Sequence, residues 1–207
     1  MLAELLFPEV CLGCRRLLRA DLPLPLCSAC APEQVPLPPA LRRLHDAEAL
    51  HAYDGPLARA VAALKYSGEI QLAGPLGRLL ARSDALARPW DLIAPVPMHP
   101  WRAVLRGYNH AALLARWAAH HADQPRSLAP RLLRRLRATP PQAGLDAPAR
   151  RANLTGAIGV RLPVAGRSVL VLDDVTTTGA TLGACIAALR DAGAREVAGL
   201  ALLRTLA

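Results

Sequence analysis

The sequence predicts an α/β fold, a parallel sheet flanked by helices, preceded by a small cysteine-bound module. Three observations predict it. Residues 169–172 form an apolar quartet that runs into two adjacent carboxylates, Asp173 and Asp174, then a loop of small hydroxyl residues, then a helix pattern at Leu182, Cys185, Ile186 and Leu189. An apolar run of this kind suits a strand buried on both faces, as in a parallel sheet. Helix patterns and short apolar strands alternate from about residue 50 onward, the order of a sequential α/β sheet. Four of the five cysteines fall between positions 11 and 30, in two C-x2-C pairs.

Those cysteines, Cys11, Cys14, Cys27 and Cys30, come first along the chain. A two-residue gap lets both sulfurs of a pair reach one metal, and two pairs complete a tetrahedral shell. Disulfides are the competing reading. The first ten residues, with Glu4 and no basic segment, do not read as a secretory signal, and thiols that stay reduced favour zinc. A closed four-sulfur shell leaves no open position, so a structural Zn2+ is expected in a module spanning 1–35. The fifth thiol, Cys185, lies on an apolar helix face and is expected in the core.

A proline-rich joint over 36–50, with Pro36, Pro38 and Pro39, reads as a stiff linker. Residues 51–207 read as the α/β domain. Helices are expected over 56–66 and 72–82, and a short strand over 91–96, stopped by Pro95 and Pro97. A further helix is expected over 109–121, with Asn109 at its N-cap. A weak strand pattern lies near 128–133. Residues 134–161 read as irregular, with Pro140, Pro141, Gly144, Pro148 and Gly156. A loop of that length in a compact domain is usually functional. The acid-bearing strand and its helix follow, and a last strand is expected over 197–203.

The chain has 207 residues, 53% apolar and 20% charged, enough for one ordinary domain and a small module. No apolar run approaches the roughly 18 residues of a membrane span, so a cytoplasmic location is expected. The net charge of +9 is uneven: residues 1–50 carry five Arg against six acids, and 126–161 carry eight Arg against one acid, Asp146. Lys65 is the only lysine. The Arg-rich stretch is a candidate surface for a phosphate or nucleic-acid partner, with solvated arginine as the plainer reading.

The segment from Val169 to Thr181, VLVLDDVTTTGAT, says most about function. Its loop lies between the carboxyl end of a strand and a helix N-terminus, where open α/β sheets bind ligands. Backbone N–H groups there lack helical partners and point at an arriving anion, and threonine hydroxyls add donors. Two carboxylates repel a phosphate but accept hydrogen bonds from a vicinal diol. Together these groups describe a ribose 5-phosphate. A nucleophilic or Mg2+-binding aspartate pair, or a simple turn, is the alternative.

These thirteen residues resemble the phosphoribosyl pyrophosphate (PRPP) motif of type I phosphoribosyltransferases. The resemblance implies that Asp173 and Asp174 contact the ribose hydroxyls. It also implies that Val175, Thr176, Thr177, Thr178, Gly179, Ala180 and Thr181 wrap the 5-phosphate. Further patterns resemble the ComF/GntX family: PVPMHPWRAVLRGYNHA at 95–111, Arg137 to Gln142 followed by RRANLTGAI, the double C-x2-C after FP, and LKYSGE around Lys65. That family combines a type I phosphoribosyltransferase fold with an N-terminal zinc ribbon, so the resemblance spans nearly the whole chain. Departures are Tyr108 for the usual Phe, His110 for Gln and Ile158 for Phe.

Pentosyl transfer from PRPP breaks the bond between C1 and pyrophosphate, so the leaving group needs cations and a lid that excludes water. The resemblance implies Mg2+ held with PRPP, and Arg102, Arg106 and the Gly107 backbone at the pyrophosphate. Arg137, Gln142 and Arg151 are the candidate lid residues. Lys65 reads equally as a neighbour of the site and as a surface lysine ending a helix. The acceptor is not legible. The ComF resemblance implies a role in DNA uptake during natural competence, with single-stranded DNA and helicase or recombination-mediator proteins as candidate partners. A non-catalytic PRPP-binding or DNA-binding scaffold is the alternative. Leu2 stands where glutamine amidotransferases carry a nucleophilic cysteine, so that activity is not expected.

Overall fold

The computed structural model describes residues 10–18, 22–98, 107–124, 127–136 and 156–206. A five-stranded sheet forms the centre, in the order β1-β2-β7-β6-β3. Its strands are β1 (Arg43–Leu44), β2 (Ala47–Ala52), β3 (Leu92–Pro95), β6 (Ser168–Thr176) and β7 (Glu196–Arg204). The β2–β7, β7–β6 and β6–β3 pairings are parallel, and only the two-residue edge strand β1 runs antiparallel. The carboxyl ends of the four parallel strands therefore share one edge.

Helices α1 (Pro39–Arg42), α2 (Gly55–Tyr66), α3 (Ala73–Ala81), α4 (Asp84–Ala87), α5 (His110–His121) and α6 (Ala180–Asp191) connect the strands. Successive strand side chains point to opposite faces, and the core divides accordingly. Leu170, Leu172, Leu200 and Leu202 pack with Leu57, Leu64, Leu76 and Leu114, which come from α2, α3 and α5. Val169, Val171, Val197 and Ala201 pack with Leu182, Cys185, Ile186 and Leu189 of α6. Cys185 is fully buried there, as expected. On the first face α3 and α5 cross closely: a Cβ on Gly77 would sit 2.5 Å from the Trp117 Cβ and 3.1 Å from the Leu114 carbonyl oxygen.

The helices over 56–66, 72–82 and 109–121 and the strands over 91–96 and 197–203 appear within a residue or two at most ends. The strand β2 carries no strand signal. Its sequence, AEALHA, has no β-branched residue and is extended by its parallel partner β7, an instance of tertiary pairing overriding propensity. The stretch 134–161, expected to be irregular, is regular at both described ends. There β4 (Leu133–Arg135) pairs antiparallel with β5 (Ile158–Val160) in a separate two-stranded ribbon.

The cysteine module packs onto the first face. Cys11, Leu12, Leu26 and Cys30 belong to the same buried cluster as Leu57 and Leu64. Arg15 donates from Nε to Glu69 Oε2 at 2.8 Å, and Arg82 donates to the carbonyl oxygens of Leu22 at 2.7 Å and Pro23 at 2.5 Å.

Candidate functional site

The interior strand β6, between β7 and β3, carries both acids at its carboxyl end, and its alternation sends them to opposite faces. Asp174 continues the row of Leu170 and Leu172, toward α2 and α5. Asp173 continues the row of Val169 and Val171, toward α6. The N–H of Asp174 donates to Asp173 Oδ1 at 2.9 Å, tying the two residues together.

Asp174 is 2% exposed. Its Oδ1 lies 2.7 Å from Lys65 Nζ, at the end of α2, and its Oδ2 lies 2.6 Å from His110 Nε2, at the start of α5. Burial alone would raise the Asp174 pKa, but the Lys65 ammonium and His110 outweigh it and hold it at about 2. Burial alone would lower Lys65, and the Asp174 carboxylate keeps it above its ordinary value. His110 Nδ1 is buried with no hydrogen-bond partner among the described residues.

Local sequence explains why these three meet. The Asn109 side chain caps α5 by accepting from the Ala112 N–H at 3.3 Å, and its Nδ2 donates to the Val96 carbonyl at 3.2 Å. That pair of bonds pins the start of α5 to the end of β3 and delivers His110 beside β6. The neighbouring Tyr108 hydroxyl donates to the Leu64 carbonyl, next to Lys65. Three successive residues, Tyr108, Asn109 and His110, thus gather α2, β3 and β6 at one point.

Asp173 is partly exposed. Burial and the adjacent Asp174 push its carboxyl up to about 8, against the pull of Lys65, the Asp174 N–H and Arg135. It lies close enough to Cys185 that its charge helps push that thiol up, after burial. A carboxyl raised this way holds its proton more tightly than a free one, and an arriving cation would lower it again.

Of the residues assigned to the phosphate, Val175 and Thr176 are the last two of β6. Val175 packs against the first core cluster, and Thr176 is buried. Thr177 and Thr178 are exposed in the turn that follows. Gly179 is the N-cap of α6 at φ 79°, a left-handed conformation that a side chain would strain. Ala180 and Thr181 form the first turn of α6, so their amides sit at a helix N-terminus. Gly107 also adopts a positive φ of 75°, just ahead of α5. Arg102, Arg106, Arg137, Gln142 and Arg151 lie outside the described residues. Lys65, left open in the sequence between a neighbour of the site and a surface lysine, lies in the site, and His110, legible only as a departure from the family pattern, joins it there. Lys65 does carry one signal, as the sole lysine in an arginine-rich chain: a compact ammonium suits a buried single-carboxylate contact better than a guanidinium fork.

The sulfurs of Cys11, Cys14, Cys27 and Cys30 lie within 4.8 Å of one another. Those of Cys14 and Cys27 are 3.6 Å apart, close to the roughly 3.8 Å separation of thiolates around tetrahedral zinc. The Cys27 N–H donates to Cys11 Sγ at 3.3 Å, a bond that favours a thiolate. Gly13 is required for the close approach: a Cβ there would sit 2.7 Å from Cys30 Sγ and 3.2 Å from the Pro56 Cβ. The donor set and its spacing fit a closed structural metal site.

No helix among the described residues is long and apolar enough to cross a membrane. No family model matches the chain. It is 36% identical over 165 residues to the DNA utilization protein YhgH of Escherichia coli O157:H7, covering 74% of this chain and 70% of that protein. It is 35% identical over 161 residues to the DNA utilization protein YhgH of Salmonella typhi, with the same two coverages. It is 32% identical over 155 residues to Competence protein F of Haemophilus influenzae, covering 70% of this chain and 66% of that protein. A solved chain from an analysis of an invariant aspartic acid in HPRTs, the glutamic acid mutant, overlaps 64% of this chain at a TM-score of 0.39 and 14% identity, a likeness too slight to argue from.

Proposed function

The chain belongs to the ComF-like family of DNA utilization and competence proteins, and from that premise we propose that it binds PRPP at the carboxyl edge of β6 and transfers the pentosyl group to an acceptor. The observation that carries this reading is the juxtaposition of a carboxylate pair with the amide-rich start of α6. The exposed Thr177–Thr178 turn and the Gly179 cap join the two. Amides and hydroxyls there suit the 5-phosphate, and a carboxyl behind them suits the pentose hydroxyls.

Mg2+ would neutralise charge developing on the pyrophosphate, and Asp173, the more exposed of the two acids, would share in holding it. Arg102, Arg106 and the Gly107 amide are assigned to the pyrophosphate, and Arg137, Gln142 and Arg151 to closure over the substrate. The four-cysteine shell holds Zn2+ and stabilises the module that packs against α2. Competence and DNA utilization in the names of the relatives support a cytoplasmic role in DNA uptake. Single-stranded DNA, or the helicase and recombination-mediator proteins that handle it, are the partners that role requires. A scaffold that binds PRPP or DNA without turnover is the second reading, favoured by those same names. Pyrophosphate release from PRPP and Mg2+ across a panel of nucleobases and amines separates the two: release with one acceptor supports transfer, and binding without release supports the scaffold.

A further inference from the structure

The two adjacent acids differ in ways that a shared role does not explain. Asp174 is 2% exposed, and both its oxygens face protein nitrogens, Lys65 Nζ at 2.7 Å and His110 Nε2 at 2.6 Å. The Lys65 side chain is itself only 14% exposed. Turning Asp174 toward a neutral hydroxyl would strand a buried ammonium, and that loss exceeds what one hydroxyl hydrogen bond returns. Asp173 is on the opposite face of β6, partly exposed, with Oδ1 held by the Asp174 N–H. Its carboxylate keeps acceptor capacity after that one bond.

We infer that the pair divides its work: Asp173 alone accepts from the pentose hydroxyls, while Lys65 and His110 are positioning residues that pin Asp174 and, through its N–H, aim Asp173. This inference rests on the sugar-phosphate reading of the site. It gives His110 a role that follows from its contact: from the start of α5 it fixes the strand end from which the phosphate turn departs. It gives the sole lysine a role that does not involve touching substrate.

A cycle of ligand and residue deletions tests it in the full chain. Calorimetric affinities are measured at pH 9, above the raised pKa of Asp173, for ribose 5-phosphate and for its 2-deoxy and 3-deoxy counterparts. In the unmodified protein, loss of a hydroxyl should weaken binding about tenfold or more, the worth of a hydrogen bond to a charged acceptor. D173A should abolish that penalty. D174N and K65M should keep it while weakening all three sugars by a common factor, and K65R should recover part of that factor. A hydroxyl penalty that survives in D173A overturns the inference, and D173A alone decides the matter where D174N does not fold. Absence of binding by the unmodified protein to any of the three sugars overturns the sugar-phosphate reading instead, and the inference falls with it.

Discussion

The only lysine of the chain, Lys65, places Nζ 2.7 Å from Oδ1 of Asp174, the second acid of β6. The contact joins the end of α2 to the end of β6 inside a shell where the two side chains are 14% and 3% exposed. Ion pairs so buried contribute little net stability when intact but cost a great deal when one partner is removed.

Replacing Lys65 with Met should therefore destabilise the protein by about 3–5 kcal/mol, because Asp174 keeps a buried charge with only His110 beside it. Denaturant unfolding measures it. A change below about 1 kcal/mol, the worth of an exposed pair, would show that Lys65 and Asp174 are not buried together.

The two acids should titrate with opposite consequences. The folded pKa of Asp173 is raised to about 8. The unfolded chain releases this proton at about 4, so between about pH 4 and 8 the folded state holds more protons and stability falls as pH rises. Asp174 is held at about 2, so its contribution is present above about pH 4 and lost as pH falls toward 2. Asn at position 173 should remove the alkaline loss and leave the acid loss in place. Thermal melts of both proteins from pH 3 to 9 check this; equal slopes between pH 5 and 8 would refute the raised Asp173.

His51 on β2 offers a second pH signature. Burial and the charge of Arg42 depress its folded pKa to about 4. Its stabilising contribution is complete above about pH 6.5 and is lost as pH falls toward 4, because the unfolded chain takes up a proton first. Gln at position 51 should flatten the melting curve across that window.

Gly13→Ala should weaken metal binding at the cysteine cluster, since the added Cβ would meet Cys30 Sγ at 2.7 Å. Cobalt substitution reads the outcome through the intensity of its thiolate charge-transfer band. Removing metal from the unmodified protein should loosen the module first, and faster proteolysis near its N-terminus is the expected sign. Undiminished protease resistance after chelation would contradict a structural metal.

Much of this architecture is legible in the sequence because it is local. The apolar quartet ahead of Asp173, the Gly179 cap and the α6 periodicity lie within about twenty residues of each other, and so do the two C-x2-C pairs. What is not legible depends on long-range partners. The strand β2 becomes extended only beside β7, and β4 pairs with β5 across a long intervening segment. The separate settings of Asp173 and Asp174 follow from strand alternation at the sheet's carboxyl edge, where the neighbours on each face come from α2, α5 and α6. His110 departs from the family pattern, and only its approach to Asp174 in space assigns it a place.

Titration of the zinc-loaded protein with PRPP and Mg2+ tests the central claim most directly, with D173A/D174A run alongside. The account predicts saturable binding to the unmodified protein, none to the double variant, and equal zinc content in the two. Equal affinity in both would place the ligand away from β6 and contradict it.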